Sequence, residues 1–433
     1  MDALVLFLGV FLGVSIILKV PVAFGMGLGT IAVFFYRDLP LLNIAQASFA
    51  YLDSFPLLAI PFFLLAGTLM EFSGISRSLL DMVDAFVGKV RGSIGAVTIL
   101  GSMAFGVLTG SAMATISAIG KIMVPEMVSK GYPRDFCAAI LASTCFLGIL
   151  IPPSIPGIFY GLASGQKISE VWLSTLIPGI LFGIGYCIVN YFFQGRKQSV
   201  GEKVAFAEYL RNCGTKTKGA SAALVMPIII FGGIYGGICT PTEAGALSAV
   251  YGVLYYIVKK RFRKNSEVGS TLWNITLSTA HLTGVVLILC IFAAVSGRAI
   301  TLSGVSEQLS LFVMDNVSSP IQFLLIVNLL YLFMGTFIDI NSSILLMTPL
   351  LMPSVVAMGI DPIHFGAISL VNLSVGYMTP PFATGIFLAS KIANAEFTSV
   401  VKRIWPFIAV GLITVAITTY FPPIAIYIPS LLK

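Results

Sequence analysis

The chain has 433 residues, of which 57% are hydrophobic and only 10% charged, with a mean hydropathy of +0.99. A soluble globular chain carries roughly 25% charged residues, so this one cannot cover itself with a polar surface, and a bilayer is its consistent solvent. Its net charge of +7 comes from 25 Lys and Arg against 18 Asp and Glu; these basic residues cluster in short loops, so they report topology and argue against a nucleic-acid partner.

A spanning helix needs about 20 apolar residues. The first such stretch, 3–18, lacks a basic n-region and a small-residue cleavage site, and is read as a membrane helix rather than a cleaved leader. Apolar stretches follow at 22–36 and 55–70. Residues 75–91 mix Leu, Val and Phe with Arg77, Asp81, Asp84, Lys89 and Arg91, the pattern of an amphipathic arm lying along the membrane surface. A re-entrant hairpin is expected at 93–125, with its tip at Thr109-Gly110-Ser111-Ala112. The apolar stretch at 134–165 is interrupted by Gly148-Ile149-Leu150-Ile151-Pro152-Pro153-Ser154 and is expected to be a broken helix. A span at 171–193 leads into a basic cluster running from Arg196 to Lys218. Spans at 220–238 and 244–258 flank Thr240-Pro241-Thr242-Glu243, which reads as a helix capping box. After a second basic cluster, Lys259 to Lys264, come a span at 272–296 and a second amphipathic arm at 305–316. A second hairpin follows at 320–350 with a tip from Met334 to Ser343, then a second broken helix at 363–390 around Gly376-Tyr377-Met378-Thr379-Pro380-Pro381, and a final span at 404–429. The reading is an all-α integral membrane protein with about 11 transmembrane helices, two re-entrant hairpins and two broken helices.

The second half repeats the first. At one constant offset, Phe105 falls on Phe333, Pro125 on Pro353, Gly131 on Gly359, Gly148 on Gly376 and Pro152-Pro153 on Pro380-Pro381. Ser73-Gly74-Ile75 pairs with Ser303-Gly304-Val305. The division is 1–218 and 219–433, each with scaffold helices, an arm, a hairpin and a broken helix. With both basic clusters in the cytoplasm the two halves thread in opposite directions, and both termini fall outside. Of the 25 basic residues, only Arg37, Lys167, Arg298 and Lys433 then lie outside. Inverted repeats that meet at broken helices belong to secondary transporters.

The chemistry is expected at the breaks and tips. Each proline removes a donor and frees a carbonyl one turn back, and freed carbonyls are hard ligands suited to a small cation such as Na⁺. The first tip adds the hydroxyls of Thr109 and Ser111 around Gly110; the second adds Asp339, a carboxylate flanked by apolar sequence. A helix cap is the alternative role for Asp339. Asn372 and Ser143 either line a substrate cavity or hydrogen-bond between helices. Six cysteines without CxxC spacing read as packing residues, and His281 and His364 are too far apart for a zinc or iron site. No cofactor is expected.

In these motifs the chain resembles the large membrane subunit of the tripartite ATP-independent periplasmic (TRAP) transporters. The likeness rests on Gly110-Ser-Ala-Met-Ala114 running into Lys121-Ile-Met-Val-Pro-Glu126, on Ile151-Pro-Pro-Ser154, on Gly236-Gly-Ile-Cys-Thr-Pro-Thr-Glu-Ala244, and on Gly335-Thr-Phe-Ile-Asp339 with Tyr377-Met-Thr-Pro-Pro381. It covers essentially the whole chain. It implies Na⁺-driven inward movement of an organic acid, of the sialic acid or C4-dicarboxylate type, across the bacterial inner membrane. It also implies a periplasmic substrate-binding protein, a separate four-helix membrane subunit, a surrounding shell of membrane lipid, and an elevator mechanism. By this likeness one Na⁺ site uses Thr109, Gly110 and Ser111 with backbone at Gly148, Ile151 and Pro153. The other uses Gly335, Thr336, Asp339 and Asn341 with Gly376 and Thr379. Ser154, Ser342 and Asn372 are candidates for the substrate cavity. The competing readings are a stand-alone Na⁺/dicarboxylate carrier, a passive channel and an intramembrane enzyme. The enzyme reading lacks a second deep acid or a Ser–His pair.

Overall fold

The computed structural model describes residues 2–88, 90–197, 206–261, 268–380 and 383–431, and every regular element among them is a helix. Lys89, Pro381 and Lys433, and with them Lys203, Arg263 and Lys264 of the two basic clusters, lie outside the described residues. Seven described helices are long and apolar enough to cross a membrane, or up to eight if the bent pair Arg134–Leu150 and Ile155–Ser164 is one span. Length and apolarity alone therefore give fewer spans than the expected eleven or so. Several segments are short, such as Val22–Tyr36 and Ser93–Thr109, because glycine, proline or a tip interrupts them.

Both arms start the same way. A serine at the end of the preceding helix donates its hydroxyl back one turn, Ser73 to the Leu69 carbonyl and Ser303 to that of Ala299, each at 2.6 Å. A glycine with positive φ then turns the chain, Gly74 at 69° and Gly304 at 67°, a conformation that side chains resist. The first arm, Ile75–Val87, buries Ile75, Leu79, Leu80 and Val83 on one stripe and exposes Arg77 and Asp84 on the other. It docks on Phe206–Pro227, where Tyr209 donates to the Phe86 carbonyl at 2.8 Å and Lys216 meets Asp81 at 3.2 Å. The second arm is Val305–Asn316.

One group of helices packs through small residues, as membrane helices do. Pro241–Arg261 lies against Ala59–Phe72 at Gly245 and Gly252; a Cβ there would stand 3.2 Å from the Phe62 Cβ and 3.3 Å from that of Leu69. Val268–Leu302 crosses Val22–Tyr36, where the Thr30 and Ser296 hydroxyls meet at 2.7 Å. The capping box forms: the Glu243 carboxylate accepts from the Thr240 N–H at 2.7 Å.

The hairpins and broken helices make a second group in which the two halves interlock. Tyr160 donates to the Pro362 carbonyl at 2.5 Å, and its ring fills the place of a Gly366 side chain. Arg134 donates to the Ala393 carbonyl, and Arg403 pairs with Asp135, each at 3.0 Å. Phe136, Phe146, Phe182, Tyr186 and Phe407 form the aromatic centre of this group. Gly67 touches the first hairpin at Thr109, and Gly297 touches the second at Pro349, so the two groups of helices meet at both hairpins.

Candidate functional site

Each hairpin crosses its broken helix where two glycines touch. In the first half, the hairpin helix Ser93–Thr109 meets the helix Leu147–Leu150; a Cβ on Gly148 would stand 2.3 Å from the Gly106 Cα. In the second, Pro320–Phe337 meets Pro362–Tyr377, and a Cβ on Gly376 would stand 2.6 Å from the Gly335 Cα. Only glycine allows backbones this close. The contact sets each tip against its break.

The first tip is Gly110, at φ 56°, between Ser93–Thr109 and Ala112–Ser129. A Cβ on Gly110 would stand 3.1 Å from the Pro153 carbonyl oxygen, so this glycine admits the break's backbone. Ser111 caps the second hairpin helix, its hydroxyl accepting from the Ala114 N–H at 3.4 Å. The Thr115 hydroxyl donates to the Ser111 carbonyl at 2.9 Å and lies 3.5 Å from the Thr109 hydroxyl. Three hydroxyls thus gather at the tip.

The break turns at Ile151, whose backbone is extended, and restarts at Ile155–Ser164 with Ser154 as its cap. Two of its carbonyls are closed by distant side chains. Thr175 donates to Leu150 at 2.6 Å, and the Trp172 indole donates to Ser154 at 2.9 Å. The carbonyls of Gly148, Ile151 and Pro153 receive no protein donor among the described residues. They are the three backbone positions that the family resemblance implied.

At the second tip Asp339 is a helix cap. Its Oδ2 accepts from the N–H groups of Asn341 at 3.0 Å and Ser342 at 3.2 Å, and its Oδ1 accepts from the Ser342 hydroxyl. Part of the residue's surface is nevertheless left uncovered by the rest of the protein. Beside it the Asn341 side-chain oxygen and the Ser343 hydroxyl are buried without partners. Buried polar atoms are normally satisfied, so these two oxygens can take a further donor, as can the buried hydroxyls of Thr348 and Ser354 farther along the same helix. Thr336 uses its hydroxyl locally, on the Phe333 carbonyl at 2.8 Å.

The second break differs from the expectation. Pro380 cannot donate to Gly376, yet the Gly376 carbonyl is not free: the Thr379 N–H takes it in a tighter turn at 2.9 Å. The Thr379 hydroxyl closes on Val375 at 2.7 Å. Gly376 therefore contributes close approach rather than an open oxygen. The helix resumes at Thr384–Ala393. The Tyr377 ring and the Cys145 thiol both flank Gly385, which brings the two breaks within a side chain of each other.

The three cavity candidates are all fully buried. Ser154 caps a helix, accepting from the Gly157 N–H at 3.1 Å, and Ser342 supports Asp339. Asn372 donates to the carbonyl of Asn328 at 2.9 Å and to its side chain at 2.8 Å, and Asn328 goes on to Thr419 at 3.0 Å. That is the interhelical role left open by the sequence. Ser143 bonds back to Ile140 within its own helix. Sequence reasoning missed Gly106 and Thr115, and gave Ser343 no role beyond ending the second tip. Thr115 and Ser343 sit at matched places in the two halves, four residues past Ser111 and Asp339, and that matched spacing was the available signal. Among the described residues no group of three His, Cys, Asp or Glu is placed to hold a metal.

The family model described as "Tripartite ATP-independent periplasmic transporter, DctM component" matches residues 7–424. The chain is 36% identical over 95% of its length to the isethionate TRAP transporter permease protein DctMQ of Oleidesulfovibrio alaskensis, and spans 64% of that longer relative. It is 33% identical to the 2,3-diketo-L-gulonate TRAP transporter large permease protein YiaN of Escherichia coli, covering 98% of both chains. It is 32% identical to the sialic acid TRAP transporter large permease protein SiaM of Vibrio cholerae, covering 89% of both. Among solved structures, the YdaH transporter of Alcanivorax borkumensis shares the fold, with a TM-score of 0.60 at 14% identity over 89% of this chain and 87% of that one.

Proposed function

Since the chain belongs to the DctM family of TRAP transporters, a family of multi-pass membrane permeases and not of enzymes, we propose that it is the large permease of a Na⁺-coupled organic-acid uptake system. The observation that carries the coupling is the pair of glycine crossings, each holding a hairpin tip against a helix break. Na⁺ is cargo at these sites. At the first, the carbonyls of Gly148, Ile151 and Pro153 and the hydroxyls of Thr109 and Ser111 supply oxygens. At the second, Asp339 supplies the charge, and Asn341, with backbone oxygens near Thr379, the remainder. Hard oxygen donors of this kind suit a small cation.

The substrate is of the sialic acid or C4-dicarboxylate type, in keeping with relatives named for sialic acid, C4-dicarboxylate and diketogulonate. A periplasmic binding protein delivers it, and a small four-helix membrane subunit packs beside the permease. The protein lies in the bacterial inner membrane with both termini in the periplasm, and residues 1–218 and 219–433 are inverted repeats. The interlocked hairpins and broken helices move as one block against the remaining helices.

The test is uptake of labelled sialic acid and C4-dicarboxylates into proteoliposomes holding the permease with its small subunit. Uptake is expected only with an inward Na⁺ gradient and the cognate binding protein. Equal uptake without Na⁺ removes the coupling, and uptake by the permease alone identifies a stand-alone carrier.

A further inference from the structure

The outer face of the first hairpin carries an apolar groove of about 490 Å³ that the transport sites do not use. Leu100 and Met103 of Ser93–Thr109 form one wall, and Ile180, Ile184 and Ile188 of Leu176–Phe193 form the other. Gly183 and Cys187 keep the floor low; a Cβ on Gly183 would stand 2.5 Å from the Met103 sulfur. The groove ends at the exposed rings of Tyr191 and Phe192, and aromatic rings of this kind mark the membrane–water boundary.

A positive site sits at that end. The Arg196 guanidinium lies 4.4 Å from the centre of the Phe192 ring. Gly195 packs on the backbone of Arg91, where a Cβ would stand 3.3 Å from the Arg91 carbonyl oxygen, so the Arg91 backbone lies against the residue that precedes Arg196. Both are exposed, and among the described residues neither has a carboxylate within salt-bridge distance.

We propose that this groove binds an anionic glycerophospholipid, with one acyl chain between the helices and the phosphate held by Arg91 and Arg196. Paired guanidiniums recognise a phosphate through forked, charge-assisted hydrogen bonds. The groove pairs an apolar trough with a guanidinium at its end, which matches an acyl chain joined to a phosphate, whereas an apolar spanning helix would leave the arginines without an anion. Because one wall belongs to the first hairpin, the lipid contacts the element that carries the first tip.

Native mass spectrometry of the delipidated permease complex, titrated with phosphatidylglycerol or phosphatidylcholine of identical chains, tests this. Phosphatidylglycerol is expected to bind roughly tenfold more tightly. The Arg91→Ala/Arg196→Ala double variant should lose that preference, while Lys402→Ala, an exposed lysine elsewhere, should keep it. Filling the groove by Cys187→Trp, or by Ile184→Trp on the rim should the first not fold, should weaken binding of both lipids. Glycerol phosphate without chains should not compete. Equal binding of the two lipids, or a preference that survives the double variant, overturns the proposal. So does a photo-cross-linker at Ile188 that captures the small subunit instead of lipid.

Discussion

Asp339 caps a helix and, in the proposed function, also supplies the charge of the second Na⁺ site. Capping explains why its carboxylate is tolerated at a membrane-embedded tip, where an uncompensated charge costs at least about 2.5 kcal/mol. It does not explain the orphaned Asn341 oxygen and Ser343 hydroxyl beside it. Asparagine caps helices nearly as well as aspartate, so Asp339→Asn should leave the protein inserted and folded. It should still raise the Na⁺ concentration for half-maximal uptake several-fold, because the charge is lost. Asp339→Ala removes the cap as well, at a cost of about 0.5–2 kcal/mol, and should abolish coupled uptake. Ser111→Ala should be milder, since it removes a neutral hydroxyl. Uptake across a Na⁺ series separates these outcomes; an Asp339→Asn protein with unchanged Na⁺ dependence leaves only the cap. The tips and Asp339 were legible in the sequence because a small or acidic residue between two apolar runs has few other uses. The closure of Leu150 and Ser154 by Thr175 and Trp172 was not, because it depends on how a later helix folds back on the break.

Among elements, the glycine crossings hold the site together. They were half visible: Gly148 and Gly376 stood out beside their prolines, whereas Gly106 was lost among Gly95 and Gly101 on the same helix. The tight turn that closes Gly376 was also illegible, since either proline break can leave its carbonyl open or recapture it, and local backbone geometry decides. Adding a methyl group at a crossing should force the backbones apart. Gly148→Ala and Gly376→Ala should each destabilise by about 1–3 kcal/mol and lower the unfolding temperature in detergent. Gly214→Ala makes the useful comparison, since nothing lies within 4 Å of its Cβ position. There the helix should hold or gain stability by up to about 1 kcal/mol. Equal unfolding temperatures for Gly148→Ala and Gly214→Ala would mean that the crossing tolerates separation.

For the whole molecule, the order of arm, hairpin and broken helix in each half followed from hydropathy and the Gly/Pro landmarks. The interlocking of the halves through Tyr160, Arg134 and Arg403 did not follow, because each contact joins residues more than 200 positions apart in sequence. In the proposed mechanism the hairpins and broken helices move as one body, and Gly297 against Pro349 is where the second hairpin meets the long helix Val268–Leu302. A Cβ on Gly297 would lie 3.7 Å from the Pro349 Cβ, within the range of roughly 3.5–4.5 Å that a disulfide needs. The most direct test of relative movement is therefore uptake by a Gly297→Cys/Pro349→Cys permease before and after oxidation. A Thr30→Cys/Ser296→Cys pair, inside the group proposed to stay still, serves as its control. Uptake should stop on oxidation of the first pair, return on reduction, and continue throughout in the control. Uptake that persists with the Gly297→Cys/Pro349→Cys cross-link fully formed would contradict a moving block.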